Sequence, residues 1–470
     1  MVSKLSAREK IISGVCVLFG VALVFTGRAL PEVSAREGSK SNLFEELKTF
    51  TDVLSVVKRD YVQEADNKKL VEGAIKGMLA TLDPHSGYLD PDFYQDLQVQ
   101  TKGEFGGLGI EITIKDGLLV VVAPMEGSPA ERAGVRPGDV IVKIDGKYTK
   151  EFSLVDAVKR LRGPKGSPIQ ISISRKGVPE LLDITIVRDN IAVKSVKHRY
   201  LGDGFGYVRV SQFMEHTADD LKSALDSLQK ESGLPELRGL VLDLRNNPGG
   251  LLAQAVRVSD MFLKDGVIVY TDGRVDAEKQ KFFAHEKGTQ PEFPIVVLVN
   301  GGSASASEIV AGALKDHGRA LVLGTQTFGK GSVQTITPLE NGGALTLTTA
   351  LYYTKSGNSL QAKGVKPDIE VDVEPSAAEL AGTAARSPIG ELREEDLPGA
   401  ISNPSQDGGG EETSPLKKLN KTPTIQPEVT SINPEKEDIQ VWEKKDAQFR
   451  RALDLLKTFS VFKPSQAPTT

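Results

Sequence analysis

Two short segments carry residues that could perform acyl transfer. Residues 297–309 read Val-Leu-Val-Asn-Gly-Gly-Ser-Ala-Ser-Ala-Ser-Glu-Ile, an apolar strand that passes through small residues directly into a helix. A serine at that junction sits near a helix N-terminus, where free N–H groups and the positive dipole end favour developing negative charge. Taken alone, Ser303, Ser305 and Ser307 read more plainly as residues that cap and pack the helix start. The second segment, Phe328-Gly-Lys330-Gly-Ser-Val-Gln334, follows the apolar run Ala320 to Leu323 and places one lysine between two glycines against the core. A serine hydroxyl needs a base to become a nucleophile, and a lysine serves only if burial or nearby positive charge lowers its pKa. By itself a lysine between glycines is a common surface turn. Gly324, Gly329 and Lys330 also fit a phosphate-loop pattern, which fails where Gly331 replaces the metal-binding hydroxyl residue. Gln334 is placed to orient the amine without charging it.

The totals narrow the choices. A chain of 470 residues implies several folded units. A net charge of −5 with both signs interspersed offers no field for nucleic acid, so none is expected as a partner. The single cysteine, Cys16, excludes an internal disulfide and any multi-cysteine metal site. The five histidines are scattered without close pairing, so no metal is expected, and a serine with its own base needs no cofactor. His85, within Asp83-Pro-His-Ser-Gly87, reads as a turn residue.

Elements must position these groups. Lys4, Arg8 and Lys10 precede an apolar, uncharged run from Ile11 to Gly27, so residues 1–37 read as an export signal, either a cleaved signal peptide or a retained membrane anchor. Everything beyond is then expected outside the cytoplasm, in the periplasm or on the outer face of the inner membrane. Residues 38–100 show helical spacing, with Leu43, Phe44, Leu47, Phe50, Val53, Leu54 and Val57 three or four positions apart. Residues 101–177 turn to short strands and glycine turns, the size of one small domain. Residues 178–375 alternate strand and helix, which predicts an α/β core with a largely parallel, covered sheet. Residues 376–435, rich in Ser, Pro, Glu and Gly, read as a disordered linker. Residues 436–463 form a last helix whose Ile439, Trp442, Phe449, Leu453 and Leu456 share one face, predicting that it docks on a folded unit.

Together the serine and lysine segments resemble the C-terminal processing peptidases, tail-specific serine proteases of family S41 that include the photosystem D1-processing enzyme. Leu242-Asp-Leu-Arg-Asn-Asn-Pro-Gly-Gly250 and Gly364-Val-Lys-Pro-Asp-Ile369 extend the match. The resemblance implies a crotonase-like α/β core, with Ser305 as nucleophile, Lys330, 25 positions on, as general base and Gln334 as its orienting partner. It places the oxyanion hole at the backbone N–H of Ala306 and of Gly250 or Gly249. Gly103 to Ile112 and Ser128-Pro-Ala-Glu-Arg-Ala-Gly-Val-Arg-Pro-Gly-Asp-Val-Ile141 resemble a PDZ domain. In such domains a glycine-rich loop captures a terminal carboxylate and the peptide adds as a strand. Gly107, Leu108 and Gly109 would be the donors, and Ile110 and Ile112 would line the groove. The expectation is an exported serine endopeptidase acting on protein substrates with unstructured C-terminal tails. Membrane anchoring by the N-terminus and self-association through the N- and C-terminal helices stay open, as do three other readings: an inert PDZ scaffold, a protease using His317 or His285, and acyl-CoA chemistry.

Overall fold

The structure, a computed structural model, describes residues 40–372, 392–404 and 439–462. The export segment at 1–37 lies outside them. The chain divides into two compact units, one ending at Gly73 and one beginning at Ala74.

In the first unit, α1 (Lys40–Asp60) leaves the apolar side chains of Leu43, Phe44, Leu47, Phe50, Val53 and Val56 exposed. Helix α2 (Asn67–Ala80) begins here and ends in the second unit. The Asp83 carboxylate then accepts the N–H groups of His85 and Ser86, closing a tight turn into β1 (Gly87–Leu89). Asp90 caps α3 (Pro91–Lys102) through the Phe93 N–H, with Pro91 preset for the first helical position.

The small domain holds β2 (Glu104–Gly107), β3 (Ile110–Lys115), β4 (Leu118–Pro124), α4 (Pro129–Arg132), β5 (Val140–Ile144), β6 (Lys147–Tyr148), α5 (Leu154–Leu161), β7 (Pro168–Ser174), β8 (Leu182–Val187) and β9 (Asp189–Ala192). Its sheet runs β3-β4-β5-β7-β8, around a core that includes Ile141, Ile144, Ile169, Ile171 and Ile173. The boundary expected at 177 falls inside the hairpin of β7 and β8. The glycine turn at Gly177 reads in sequence as a domain end, whereas Ile169 pairs with Ile186 across it. The domain therefore runs to Val187, and β9 returns to pair with β2.

The large domain comprises β10 (Val196–Gly202), β11 (Phe205–Val210), α6 (Thr217–Ser232), β12 (Gly239–Asp243), α7 (Leu252–Asp260), β13 (Val267–Gly273), β14 (Lys281–Phe283), β15 (Ile295–Val299), α8 (Ala306–Asp316), β16 (Leu321–Gly324), β17 (Ser332–Pro338), β18 (Ala344–Thr354) and β19 (Ile369–Glu370). The main sheet is ordered β10-β11-β12-β15-β16-β19, antiparallel at β10/β11 and parallel from β11 onward. Both faces are covered, which is why its strands are almost wholly apolar. Leu240, Leu242, Val297 and Val299 meet α6, α7 and α8, whereas the alternate residues Val241, Val296 and Leu298 face the other way. That second face is covered by α9 (Ile439–Lys445) and α10 (Ala447–Phe462), through Trp442, Phe449, Leu453 and Leu456. A second, antiparallel sheet runs β1-β18-β13-β14, with β17 on β18.

The span read as a linker, 376–435, contains a packed segment. Residues 392–404 include a 3-10 turn at Glu394–Asp396, and Glu394 and Asn403 are buried. It is held by polar bonds rather than apolar surface, so composition gave no sign of it. The remainder of that span lies outside the described residues.

Candidate active site

Strands β12, β15 and β16 are neighbours and parallel, so the loops at their C-terminal ends converge. These loops carry the Gly249-Gly250 turn, Ser305 and Lys330 respectively. Asn246 N–H donates to the Asn300 carbonyl oxygen Oδ1 at 2.9 Å, and Asn300 Nδ2 donates back to Asn246 Oδ1. Phe328 N–H donates to the Ser303 carbonyl at 3.0 Å, joining the lysine loop to the serine loop.

The three serines of the junction separate by what they bond. Ser303 Oγ donates to the Leu244 carbonyl at 2.8 Å and Ser307 Oγ to the Asn247 carbonyl at 2.9 Å, and both residues are fully buried. These two are the packing serines that the plainer reading foresaw. Ser305 is different: it is only partly buried, and its N–H is held by the Glu308 carboxylate. Its backbone has φ 54° and ψ −112°, a conformation L residues rarely adopt, at a cost of about 1–3 kcal/mol. That turn presents the hydroxyl at the mouth of α8, beside the helix N–H groups.

Glu308 organises the site, although the sequence reading gave it no role. It is wholly buried, and its carboxylate accepts four bonds. Oε1 takes the Thr327 hydroxyl at 2.6 Å and Gly329 N–H at 2.7 Å. Oε2 takes Ser305 N–H at 2.7 Å and Lys330 N–H at 2.9 Å. One oxygen thus holds the backbones of Ser305 and Lys330. Burial raises the Glu308 pKa to about 7 against the pull of these donors. In sequence, a glutamate three residues into a helix is an ordinary first-turn acid, and only the fold brings Thr327, Gly329 and Lys330 to it.

Burial pushes Lys330 below the usual lysine range, the direction a general base needs, while the carboxylates of Glu394, Asp83 and Glu308 pull the other way. Gln334 lies on β17, where its Nε2 donates to Ser332 Oγ at 2.9 Å and Thr348 Oγ1 at 3.4 Å. Its nitrogen is thereby oriented away from the role of donor to Lys330, and its carbonyl is the end that suits an amine.

The glycine turn resolves into two roles. Gly249 N–H donates to its neighbour Asn247 Oδ1 at 2.9 Å, so it is already engaged and does not suit an oxyanion. A Cβ at Gly249 would stand 2.9 Å from the Ser305 Cβ and 2.8 Å from the Ala304 carbonyl oxygen. Gly249 therefore gives Ser305 its room. Gly250, bridged to Phe213, and Ala306, opening α8, supply the two remaining amides at this point.

His317 and His285 stand elsewhere. His317 caps the far end of α8 and bonds the Val267 carbonyl, and exposed His285 pairs with Asp260. His85 is in its turn as expected, yet its ring also reaches Glu394.

In the small domain, Phe105, Gly107, Leu108, Gly109, Ile110, Ile112, Leu154, Val158, Leu161 and Arg162 line a groove of about 190 Å³ between β3 and α5. All five residues named from sequence are among them. β3 is an edge strand, with β4 on one side and this groove on the other.

A family model described as peptidase family S41 matches residues 204–371, a PDZ domain model matches 120–175, and a model of the activating protease CtpB N-terminal domain matches 20–93. A carboxy-terminal-processing protease of Bartonella bacilliformis is 52% identical over 358 residues, 76% of this chain and 82% of that protein. The carboxy-terminal processing protease CtpB of Bacillus subtilis is 32% identical over 95% of this chain and 98% of its own length. Among solved structures, a photosystem II D1 C-terminal processing protease is 34% identical, covering 72% of this chain and 90% of that chain with a TM-score of 0.41. With its PDZ domain and α/β core, the chain belongs to peptidase family S41, the carboxy-terminal processing proteases, which are serine-type peptidases.

Proposed function

We propose that this chain is an exported endopeptidase that takes unstructured C-terminal tails in its PDZ groove and cuts with a Ser305–Lys330 dyad. The observation that carries the dyad is the shared Glu308 oxygen, which binds Ser305 N–H and Lys330 N–H, while Ser303 and Ser307 are committed to packing. Neutral Lys330 takes the Ser305 hydroxyl proton as Oγ attacks the scissile carbonyl. The N–H groups of Ala306 and Gly250 meet the oxyanion. Lysine, now charged, returns its proton to the departing amine, and water completes hydrolysis of the acyl-enzyme by the same route. Gln334 steadies the amine through its carbonyl oxygen.

Tail capture is supported by the open edge of β3 beside an apolar groove. Export to the periplasm or the outer face of the inner membrane is supported by the charged-then-apolar start of the chain, with membrane anchoring there as its retained form. Self-association is best placed on α1, whose apolar side chains are exposed, because α10 spends its own on the sheet. The test is digestion of an unfolded protein bearing an apolar C-terminal tail by the full chain and by Lys330→Ala. Cleavage by wild type alone is expected; cleavage by both removes the dyad, and by neither favours an inert scaffold.

A further inference from the structure

The lysine loop is gripped by a segment that lies beyond the peptidase core in sequence. Glu394 N–H donates to the Phe328 carbonyl at 3.1 Å, two residues before Lys330. On the other side, Gly331 N–H donates to Gln361 Oε1 at 3.0 Å, and Gln361 Nε2 donates to Glu394 Oε1 at 3.0 Å. Lys330 is thus bracketed by bonds that all lead to Glu394. The segment is anchored further by Asn403 Nδ2 on the carbonyls of Gln361, at 2.7 Å, and Ser359. Gln361 Nε2 also reaches the Ile401 carbonyl.

Opposite the strap, His85 Nε2 stands 2.9 Å from both Glu394 carboxylate oxygens. His85 is itself fixed by its N–H to Asp83, whose carboxylate also takes Ser86 Oγ and Thr348 Oγ1. Thr348 Oγ1 accepts from Gln334 Nε2 at 3.4 Å, so Thr348 links the turn to Gln334. A wholly buried carboxylate costs several kcal/mol unless its oxygens are bonded, and a connecting segment has no packing need for one. Its charge acts on Lys330: the carboxylates that favour the charged amine are Glu394 from the strap, Asp83 from the turn and Glu308 from α8.

We propose that residues 392–404 form a strap across the catalytic loop, and that Glu394, held between His85 and Gln361, is a positioning residue that fixes the Lys330 loop and sets the charge Lys330 meets. This deepens, and rests on, the Ser305–Lys330 reading. The strap makes the mature site depend on chain beyond the core, so a protein cut between the core and residue 392 would keep its core yet lose the grip on its base.

The test is kcat/KM against pH for the full chain, on an unfolded protein substrate, as wild type, Glu394→Gln, His85→Ala and Lys330→Ala, each checked for folding by thermal melt. Glu394→Gln keeps the shape and removes a charge that favours the ammonium form, so the acidic limb is expected to move to lower pH. His85→Ala removes the donor opposite Glu394 and leaves its charge less offset, so the limb is expected to move to higher pH. A displacement of one pH unit reads as about a tenfold change in the mutant to wild-type ratio along the limb. Limbs that coincide with wild type in both folded variants, whatever the plateau height, would reduce the strap to a structural brace and overturn the proposal. If Glu394→Gln does not fold, His85→Ala decides alone. An active Lys330→Ala would instead remove the dyad itself, a different failure from an unmoved limb.

Discussion

Glu308 is asked to do two opposed things, and the conflict has measurable consequences. Four donors converge on it, which suits a carboxylate, while complete burial disfavours the charge and lifts its pKa to about 7 from 4.5. The folded protein therefore holds this proton more tightly than the unfolded chain does. The stability it contributes is full below about 4.5 and is lost as pH rises through about 7. With the proposed dyad, activity follows the opposite course, because ionised Glu308 holds the Ser305 and Lys330 amides and neutral Lys330 would be the base. Cleavage is expected to rise with pH through 7, and a melt series should show stability falling over the same range, with Glu308→Gln flattening the fall. The same substitution sets an amide NH2 against two of the four donors. Two buried donors left unpaired, at about 1–3 kcal/mol each, cost about 2–6 kcal/mol of stability, and kcat should fall in the protein that remains folded. Gly249→Ala should be harsher for activity than for stability. Its Cβ at 2.9 Å from the Ser305 Cβ, on a residue with φ 105°, displaces Ser305, and a kcat loss of about 100-fold or more is expected by active-site titration and steady-state assay. Ser305 and Lys330 stood out only when their two segments were taken together, because each segment alone reads as a helix start or a surface turn and only the pair matches one family pattern. Glu308 did not stand out, because its partners lie in two other segments, and only the parallel order of β12, β15 and β16 gathers them.

Among elements, the same contrast separates α9 and α10 from the strap. Apolar spacing predicted a single helix over 436–463; the structure has two, broken at Asp446, and Trp442, Phe449 and Leu456 cover the second face of the sheet, with Trp442 stacked on Phe449 at 4.0 Å. What spacing could not show is how they join the site. Arg245, in the loop that leads to Gly249, donates to Asp243 and to Asp446 at the break between α9 and α10. Burial would raise the Asp243 pKa, but the Arg245 charge and bonds overcome it and hold the carboxyl below its usual range. Asp243 also accepts the Tyr207 hydroxyl at 2.8 Å. Arg245→Ala would leave that carboxylate buried without its cation, costing about 3–5 kcal/mol in a denaturant melt. Because the loop beyond it carries Gly250, activity should fall even at temperatures where the variant is folded. A substitution at exposed Lys444, on the same pair of helices, should change neither. The strap escaped the sequence reading for the converse reason: its anchors are Glu394 and Asn403, residue types that composition counts toward disorder.

At the scale of the molecule, the apolar groove and the serine and lysine loops lie in separate domains of one chain, so the tail capture and the cleavage proposed for them should be separable by mutation. The groove between β3 and α5 has an apolar floor and side, with Val158 on the helix facing Ile110 and Ile112 on the strand edge. A tail adding to β3 would lay alternate side chains against α5, whereas in the proposed reaction the scissile bond would be met by Ser305, Lys330 and Gly250 on the large domain. Val158→Glu places a charge where an apolar terminal side chain would sit and repels the terminal carboxylate, without touching the core residues Ile141, Ile171 and Ile173. If the groove serves only to hold the tail, KM for a tailed protein should rise about tenfold or more with kcat unchanged, because uniform binding has been removed. A short peptide lacking a tail should be cut as by wild type. If tail binding also assembles the site, kcat on the tailed substrate falls as well, while the peptide rate is still the wild-type one. Equal loss on both substrates would mean that the substitution has damaged the site itself, and the groove would lose its assignment.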